Sequence, residues 1–522
     1  MVSCQEKSQV YNQEKLVQGS VERLLEKHDG SEEMERLFVD ADRPEHKISR
    51  HIYGHFAEHL GRCIYEGIWV GEGSPIANTR GARNDVIAAL SKLRMPNLRW
   101  PGGCFADTYH WRDGIGPRSG RPSIVNIHWG GTTENNHFGT HEFLDFCSLV
   151  GTEPYICGNV GSGTVREMAE WLEYITMPGK SLMADLRRSN GREEPWDAAF
   201  WGVGNENWGC GGTMTALQYA WEFRKFQGYC RHFGGKKLFK VACGFDDGWN
   251  ETLMREAGAL MDGLSVHYYT VKGAVWADKG PSTGFPVSDW YAVLRNALGI
   301  EGFIDRTATI MDRYDPQKRV AMVMDEWGTW HTAEPGTNPG FLYQQNTIRD
   351  ALVAGLTLNI FNRRSDRLRV ANIAQTVNVL QAMILTEGPK MILTPTYHVF
   401  EMYAPHQEAV ALPVWLEDAP IEWEGKTMPR ISASASRTGP GKILLTLCNL
   451  HHQEATELRV ELRGSEVLKA AGRILTGPET DSRNSFERPD AVKPVTFDGV
   501  SVSRGTLVVR LPARSVVALD LA

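Results

Sequence analysis

Long apolar runs with little polar interruption alternate with amphipathic stretches through most of the chain. After a short alternating segment, ERLFVDAD at 35–42, a strand is predicted over 48–56. A helical stretch at Ala82–Leu93 then leads to the strand NLRWPGG at 97–103, and helix His141–Val150 leads to PYICGNVGSG at 154–163. Helix Val165–Tyr174 and a polar insertion precede the apolar run AFWGV, and helix Ala216–His232 leads to FKVACGF at 239–245. Helix Glu251–Met261 leads to LSVHYY at 264–269, and the long helical region Trp290–Tyr314 leads to VAMVMDEW at 320–327. Helix Tyr343–Asn362 leads to LRVANIAQ at 368–375, with another helix after it.

Strands that are apolar on both faces suit a buried parallel sheet. Eight such strands with intervening helices, over about 350 residues, predict a (β/α)8 TIM barrel with insertions. A doubly wound open sheet is the alternative. It is weakened because GVGNEN lacks the third glycine of a dinucleotide fingerprint and no acid-tipped second strand follows. Past residue 404 the texture changes to short β-rich runs separated by turns, among them RISASASR, KILLTLCNL, ELRVELRG and SVVALDLA. Those runs predict a C-terminal antiparallel β-sandwich, jelly-roll-like, which the early strand can join. The expected organisation is a polar extension at 1–32, a sandwich strand within 33–45, a catalytic barrel at 46–403 and the sandwich at 404–522.

Composition narrows the class. A chain of 522 residues exceeds one ordinary core, and a net charge of −7 argues against a general nucleic-acid binder. The 16 Trp and 15 Tyr residues supply flat rings of the kind on which sugars stack, although cores use them too. Nine cysteines without CxxC spacing favour reduced thiols over a disulfide scaffold or a zinc knuckle. MVSCQEKSQVYNQEK has no apolar signal core and no run is long enough to span a bilayer, so a cytoplasmic protein away from membranes is expected. His51, His55 and His59 would form a ligand face on a helix, but the interleaved Ile52, Tyr53 and Phe56 with Gly54 fit a strand, which scatters the three rings. No metal site is predicted.

The candidate chemistry lies at the strand ends, where such barrels carry their sites. In FWGVGNENWGCGG (200–212) an apolar run gives way to Asn205 and Glu206 between Trp201 and Trp208. Poor solvation beside indoles favours the neutral form of a carboxyl group, which can then pass its proton to a leaving group. Glu326 closes a second such run. The rim further collects Glu58 after strand one, Arg99 in strand two, Asn159 after strand three, His267 and Tyr269 at strand six, and Gln375 at strand eight. Alone, each has a structural reading: Arg99 as an ion pair, His267 as a satisfied core histidine, Gln375 as a loop amide. Carboxylates across the barrel mouth suit glycoside hydrolysis, with Glu206 as acid and Glu326 as nucleophile. Asp325 is the rival nucleophile, and period-2 geometry is expected to turn it away from the face Glu326 occupies.

The motifs GHFAEHLGRCIYEGIW, LRWPGG, YHWRDGIGPRSGRP, GVGNENWGCGG, SVHYY, MDEW and ANIAQTVNV resemble those of the family 51 α-L-arabinofuranosidases, across roughly residues 35–522. The resemblance implies a retaining, exo-acting arabinofuranosidase that releases terminal arabinofuranose from arabinan, arabinoxylan or arabino-oligosaccharides. Asn205 and Glu206 would be its acid/base pair and Glu326 its nucleophile. Glu58, His267, Tyr269 and Gln375 would hold furanose hydroxyls or orient the nucleophile; apart from the resemblance, Arg99 and Asn159 at the strand ends, with Cys104 and Trp208, are further candidates to contact the sugar. The resemblance implies no cofactor and a homo-oligomer, often a hexamer. One departure stands out: many members carry Asn after the Pro-Gly-Gly turn, where this chain has Cys104. A thiol is a weak hydrogen-bonding group, and Asp107 could take over the contact. A β-xylosidase or β-glucan-cleaving enzyme on the same scaffold is the alternative, and an inactive carbohydrate-binding protein the reading from another class.

Overall fold

The computed structural model describes residues 34–503 and 506–522, so the extension expected at 1–32 lies outside the described residues. Eight strands close into a barrel: Gly54–Phe56, Asn97–Trp100, Glu153–Gly158, Phe200–Val203, Phe239–Cys243, Gly263–Thr270, Ala321–Thr329 and Leu368–Ala374. They are called strands one to eight below. Each runs parallel to its neighbour in sequence, and strand eight pairs with strand one through Asn372–Ala374 and Gly54–Phe56. The lower interior is filled by Tyr155, Phe200, Val241, Val323 and Val370, which leaves the polar residues to the opposite, C-terminal end.

Strand one is shorter than the predicted 48–56. Ser49 accepts a hydrogen bond from the His51 amide and starts a 3-10 turn over Arg50–Tyr53, so extended pairing begins only at Gly54. The three histidines separate accordingly. His51 stands 3.8 Å from Glu153, His55 is buried with its ring centroid 5.2 Å from that of Phe400, and His59 Nδ1 lies 2.9 Å from Glu134. The stretch read as a polar insertion contains a helix, Leu182–Ser189, capped by the Ser181 side chain.

Helix Ile348–Arg363, between strands seven and eight, is buried nearly all round because it packs on the barrel and on the C-terminal domain. Its polar residues face partners across that boundary. The Asn359 side chain donates to Ser432 at 3.2 Å and accepts from Ser434 and Thr446 at 2.9 and 2.8 Å. The C-terminal domain stacks a five-stranded sheet on a six-stranded one, with Leu37, Val39, Leu445, Val460 and Leu519 among the side chains between them. Strand Glu35–Asp40 inserts between Val414–Glu417 and Thr456–Arg463. Its pairing with Thr456–Arg463 is parallel, a departure from the all-antiparallel expectation. A strand that arrives from the far N-terminus has no hairpin to fix its direction. Among the described residues no helix is long and apolar enough to cross a membrane.

Candidate active site

The turn after strand four has little room. Gly204 sits at φ +90°, and a Cβ there would stand 2.1 Å from Asn207 Oδ1, so a side chain is excluded. Glu206 itself takes a positive φ of 41°, uncommon for a residue with a side chain. The turn presents the Glu206 carboxyl to the barrel axis, where Oε1 lies 2.8 Å from His267 Nδ1 on strand six. Of the two indoles expected to crowd it, one is buried away from the cavity and the other lines it. Trp201 is in the core against Trp171, and Trp208 stacks on Phe245 with ring centroids 3.9 Å apart.

Glu326 is held on both oxygens. Arg99 donates to Oε1 at 2.8 Å and the Tyr269 hydroxyl donates to Oε2 at 2.7 Å. Asp325 does not turn away as expected. Register shifts on both sides of strand seven rotate the backbone there, and Asp325 also faces inward. It accepts from Tyr155 at 2.6 Å, stands 3.3 Å from both Arg99 Nε and His267 Nε2, and also accepts from Ser265. Burial opposes its charge, but Arg99 and His267 hold its carboxyl well below the usual range. Asp325 is thus saturated beneath the site, while Glu326 reaches the cavity.

His267 sits among three carboxylates. Burial works against its charge, but Glu326, Asp325 and Glu206 outweigh it and push its pKa up to about 10. It is an imidazolium at neutral pH and donates from both ring nitrogens. One ligand atom each of Glu206, His267 and Glu326 fall within 4.8 Å of one another. A metal ion could use that spacing, but the same three groups are the candidates for the reaction itself.

Above them opens a cavity of about 680 Å³. On its far wall Glu58 accepts from the Phe105 amide, Trp129 Nε1 and Gln375 Nε2 at 3.0, 2.9 and 3.1 Å. Burial, helped by the charge of Glu326, pushes the Glu58 carboxyl up to about 7. Gly103 lets the Pro-Gly-Gly turn pass Glu58, since a Cβ there would meet its oxygens at 2.7 Å. Gln375 Oε1 is buried without a protein partner, an acceptor free for a hydroxyl.

Of the predicted residues, Glu58, Cys104, Glu206, Trp208, His267, Tyr269, Glu326 and Gln375 line this cavity. Arg99 and Asn205 lie beneath it, and Arg99 donates to Asn205 Oδ1 at 2.6 Å. Asn159 is not brought to the cavity. Its amide closes the loop after strand three, accepting from Ser162 and Gly163 and donating to the Tyr109 carbonyl. Asp107 does not replace a sugar contact either. It is buried, accepts from the amides of Val160, Gly161 and Asn205, and burial pushes its pKa up to about 7. The expectation of reduced thiols is also corrected: Cys104 and Cys210 form a disulfide. They are 106 residues apart, and only barrel closure brings their strand ends together, so local spacing carried no sign of it. Sequence reading missed Trp129 and Trp276, which reach the rim from loops, and Trp330, which directly follows strand seven. The high Trp count was their one signal.

Carboxylates at the ends of strands four and seven of a (β/α)8 barrel, above a shared imidazolium and below an indole rim, define a glycoside hydrolase. The comparisons carry this to a family. The α-L-arabinofuranosidase 1 domain matches residues 89–275 and the α-L-arabinofuranosidase C-terminal domain matches 325–515. An intracellular exo-α-L-arabinofuranosidase of Bacteroides ovatus is 51% identical over 491 residues, 93% of this chain and 95% of its own. The family 51 arabinofuranosidase of Xanthomonas axonopodis pv. citri superposes with a TM-score of 0.92 at 48% identity, over 94% of this chain and all of its own. An α-L-arabinofuranosidase of Thermotoga maritima, solved with arabinose, superposes at 0.78 with 33% identity, over 93% and 99%. The chain belongs to the family 51 α-L-arabinofuranosidases.

Proposed function

We propose that this chain is a retaining exo-α-L-arabinofuranosidase, with Glu206 as acid/base and Glu326 as nucleophile. The observation that carries the reading is the approach of the two carboxylates, whose nearest oxygens lie within 4.8 Å. Retaining glycosidases hold the pair about 5–5.5 Å apart, whereas inverting ones leave room for a water. Glu326 attacks the anomeric carbon while Glu206 protonates the departing oxygen, and the sugar becomes an ester of Glu326. Water then attacks the same carbon, giving its proton to Glu206. Arg99 and Tyr269 fix the attacking carboxylate, and the Glu58 and Gln375 wall takes the furanose hydroxyls. The named activity of the Bacteroides relative supports terminal arabinofuranose as the sugar released. The same relative's name supports a cytoplasmic setting. The family resemblance supports a homo-oligomer, up to a hexamer.

Glu206→Ala tests the assignment. A nitrophenolate leaves without a proton, so glycosylation by a nitrophenyl arabinofuranoside survives and gives a burst followed by a slow steady state. With an arabino-oligosaccharide the first step collapses. Azide restores the slow step and yields a glycosyl azide of retained configuration. Equal losses on both substrates without azide rescue would remove Glu206 from the acid role. Nitrophenyl xyloside and glucoside, run alongside, test the choice of sugar.

A further inference from the structure

The Cys104–Cys210 disulfide takes no part in the two steps above, yet it touches the proposed acid. Cys104 begins the turn after strand two, and Cys210 follows Glu206 in the loop after strand four, with Cα atoms 5.5 Å apart. Their sulfurs stand 3.8 and 3.5 Å from Glu206 Oε2, the oxygen that His267 does not bind. Cys104 lines the cavity, so a small thiol entering by the substrate's route reaches the bond. The other six described cysteines are buried, and burial pushes the thiols of Cys63, Cys230 and Cys448 up to about 12, which leaves them unreactive.

Oxidation state changes what the pair offers. A disulfide sulfur carries no proton, so Oε2 gains no donor from it. Two thiols would point S–H donors at the same oxygen, and a donor to a carboxylate favours its charged form. The cross-link also joins the loops after strands two and four, which fixes where the Glu206 turn sits against the cavity wall.

We propose that Cys104 and Cys210 form a reversible dithiol–disulfide couple that positions the Glu206 carboxyl and controls its delivery of a proton to the leaving group. Reduction by a dithiol breaks the Sγ–Sγ bond, moves two electrons and two protons onto the cysteines, and leaves the reagent as its cyclic disulfide. Oxidised glutathione reverses this and departs as two glutathione thiols. In a cytoplasm poised to reduce exposed disulfides, the enzyme would stand in the dithiol form and close the bond under oxidation. The inference rests on Glu206 being the acid.

The test uses the wild-type enzyme in both states, each verified by a two-proton mass difference and a thiol count. Rates are measured on a nitrophenyl arabinofuranoside and on an arabinobioside. Reduction is expected to lower the bioside-to-nitrophenyl ratio of kcat about tenfold, the scale of one hydrogen bond to a charged group, with KM little changed. Oxidised glutathione restores it. Cys210→Ala, which cannot close the bond, loses the response. Equal ratios in the two verified states overturn the proposal, as does a response that persists in Cys210→Ala. A bond that neither opens with dithiothreitol nor closes with oxidised glutathione in the folded enzyme overturns its reversibility. Glu206→Ala separates the two readings. Leaving-group dependence in that variant without a redox response in wild type discards the couple alone, and no leaving-group dependence discards the acid.

Discussion

The two carboxylates that face each other across the cavity are held in opposite ways. Glu326 is 7% exposed and is gripped on both oxygens by donors from strands two and six, neither of which moves without moving the barrel. Glu206 is 20% exposed, sits in a turn, has one hydrogen bond to His267, and meets only sulfur at its other oxygen. The difference follows the work each is proposed to do. A nucleophile must be an aimed anion, and fixed donors on rigid strands aim it. An acid/base must lose and regain a proton within one turnover, and a second fixed donor would oppose that exchange.

The comparison breaks first at Glu326. Glu326→Ala is expected to lower turnover of every substrate by about 10⁴-fold or more, because no other group can carry the glycosyl ester. Steady-state rates on nitrophenyl arabinofuranoside measure it. Activity within about tenfold of wild type would hand the role to Asp325, which faces the same interior. Next comes Arg99, which joins strand two to Asn205, Asp325 and Glu326. Arg99→Met should lower kcat about 10²–10³-fold and destabilise the fold by about 3–5 kcal/mol, since it strands a buried charge on Asp325. Denaturant midpoints and kcat on one preparation report both, and a loss of kcat without destabilisation would detach Arg99 from Asp325. Tyr269→Phe removes one donor from Glu326 and should lower kcat about 10- to 100-fold with KM nearly unchanged. A rise in KM at constant kcat would move Tyr269 from the nucleophile to the sugar.

The same contrast divides what the sequence made legible. The eight barrel strands could be read because parallel strands buried on both faces are continuous apolar runs, and the placement of Glu206 and Glu326 at the cavity because such barrels gather polar residues at their strand ends. The failures lie where register or distant closure decides. Period-2 reasoning assumed an unbroken strand seven, and the register shift put Asp325 inward beside Glu326. Asn159 and Asp107 have the right chemistry at the right strand ends, but their side chains are bonded to loop backbone. The disulfide beside Glu206 and the indoles of Trp129 and Trp276 come from segments far apart in the chain. No local pattern records which loops a barrel brings together.

The smallest expected effect concerns the proton shared between the two carboxylates. His267 titrates near 10 in the folded protein against its ordinary 6.5, because Glu326, Asp325 and Glu206 together outweigh burial. The folded state therefore keeps a proton that the unfolded chain has released. The stability this contributes is complete below about pH 6.5 and is lost as pH rises toward 10. Glu58 and Asp107, both raised to about 7, give the same downward trend from the acid side, so their share ends near neutrality. The buried histidines His51 and His141 are lowered to about 4 and act in the opposite sense, also below neutrality. Between about pH 7 and 8.5 His267 adds a slope of up to about 1.4 kcal/mol per pH unit for one proton, on top of a fall that grows with pH from the buried thiols, which burial keeps protonated in the folded protein. Denaturant unfolding across that window should show stability falling more steeply in wild type than in His267→Gln. An equal slope in both would mean that His267 is neutral in the folded enzyme, and that the two carboxylates face each other without a shared cation between them.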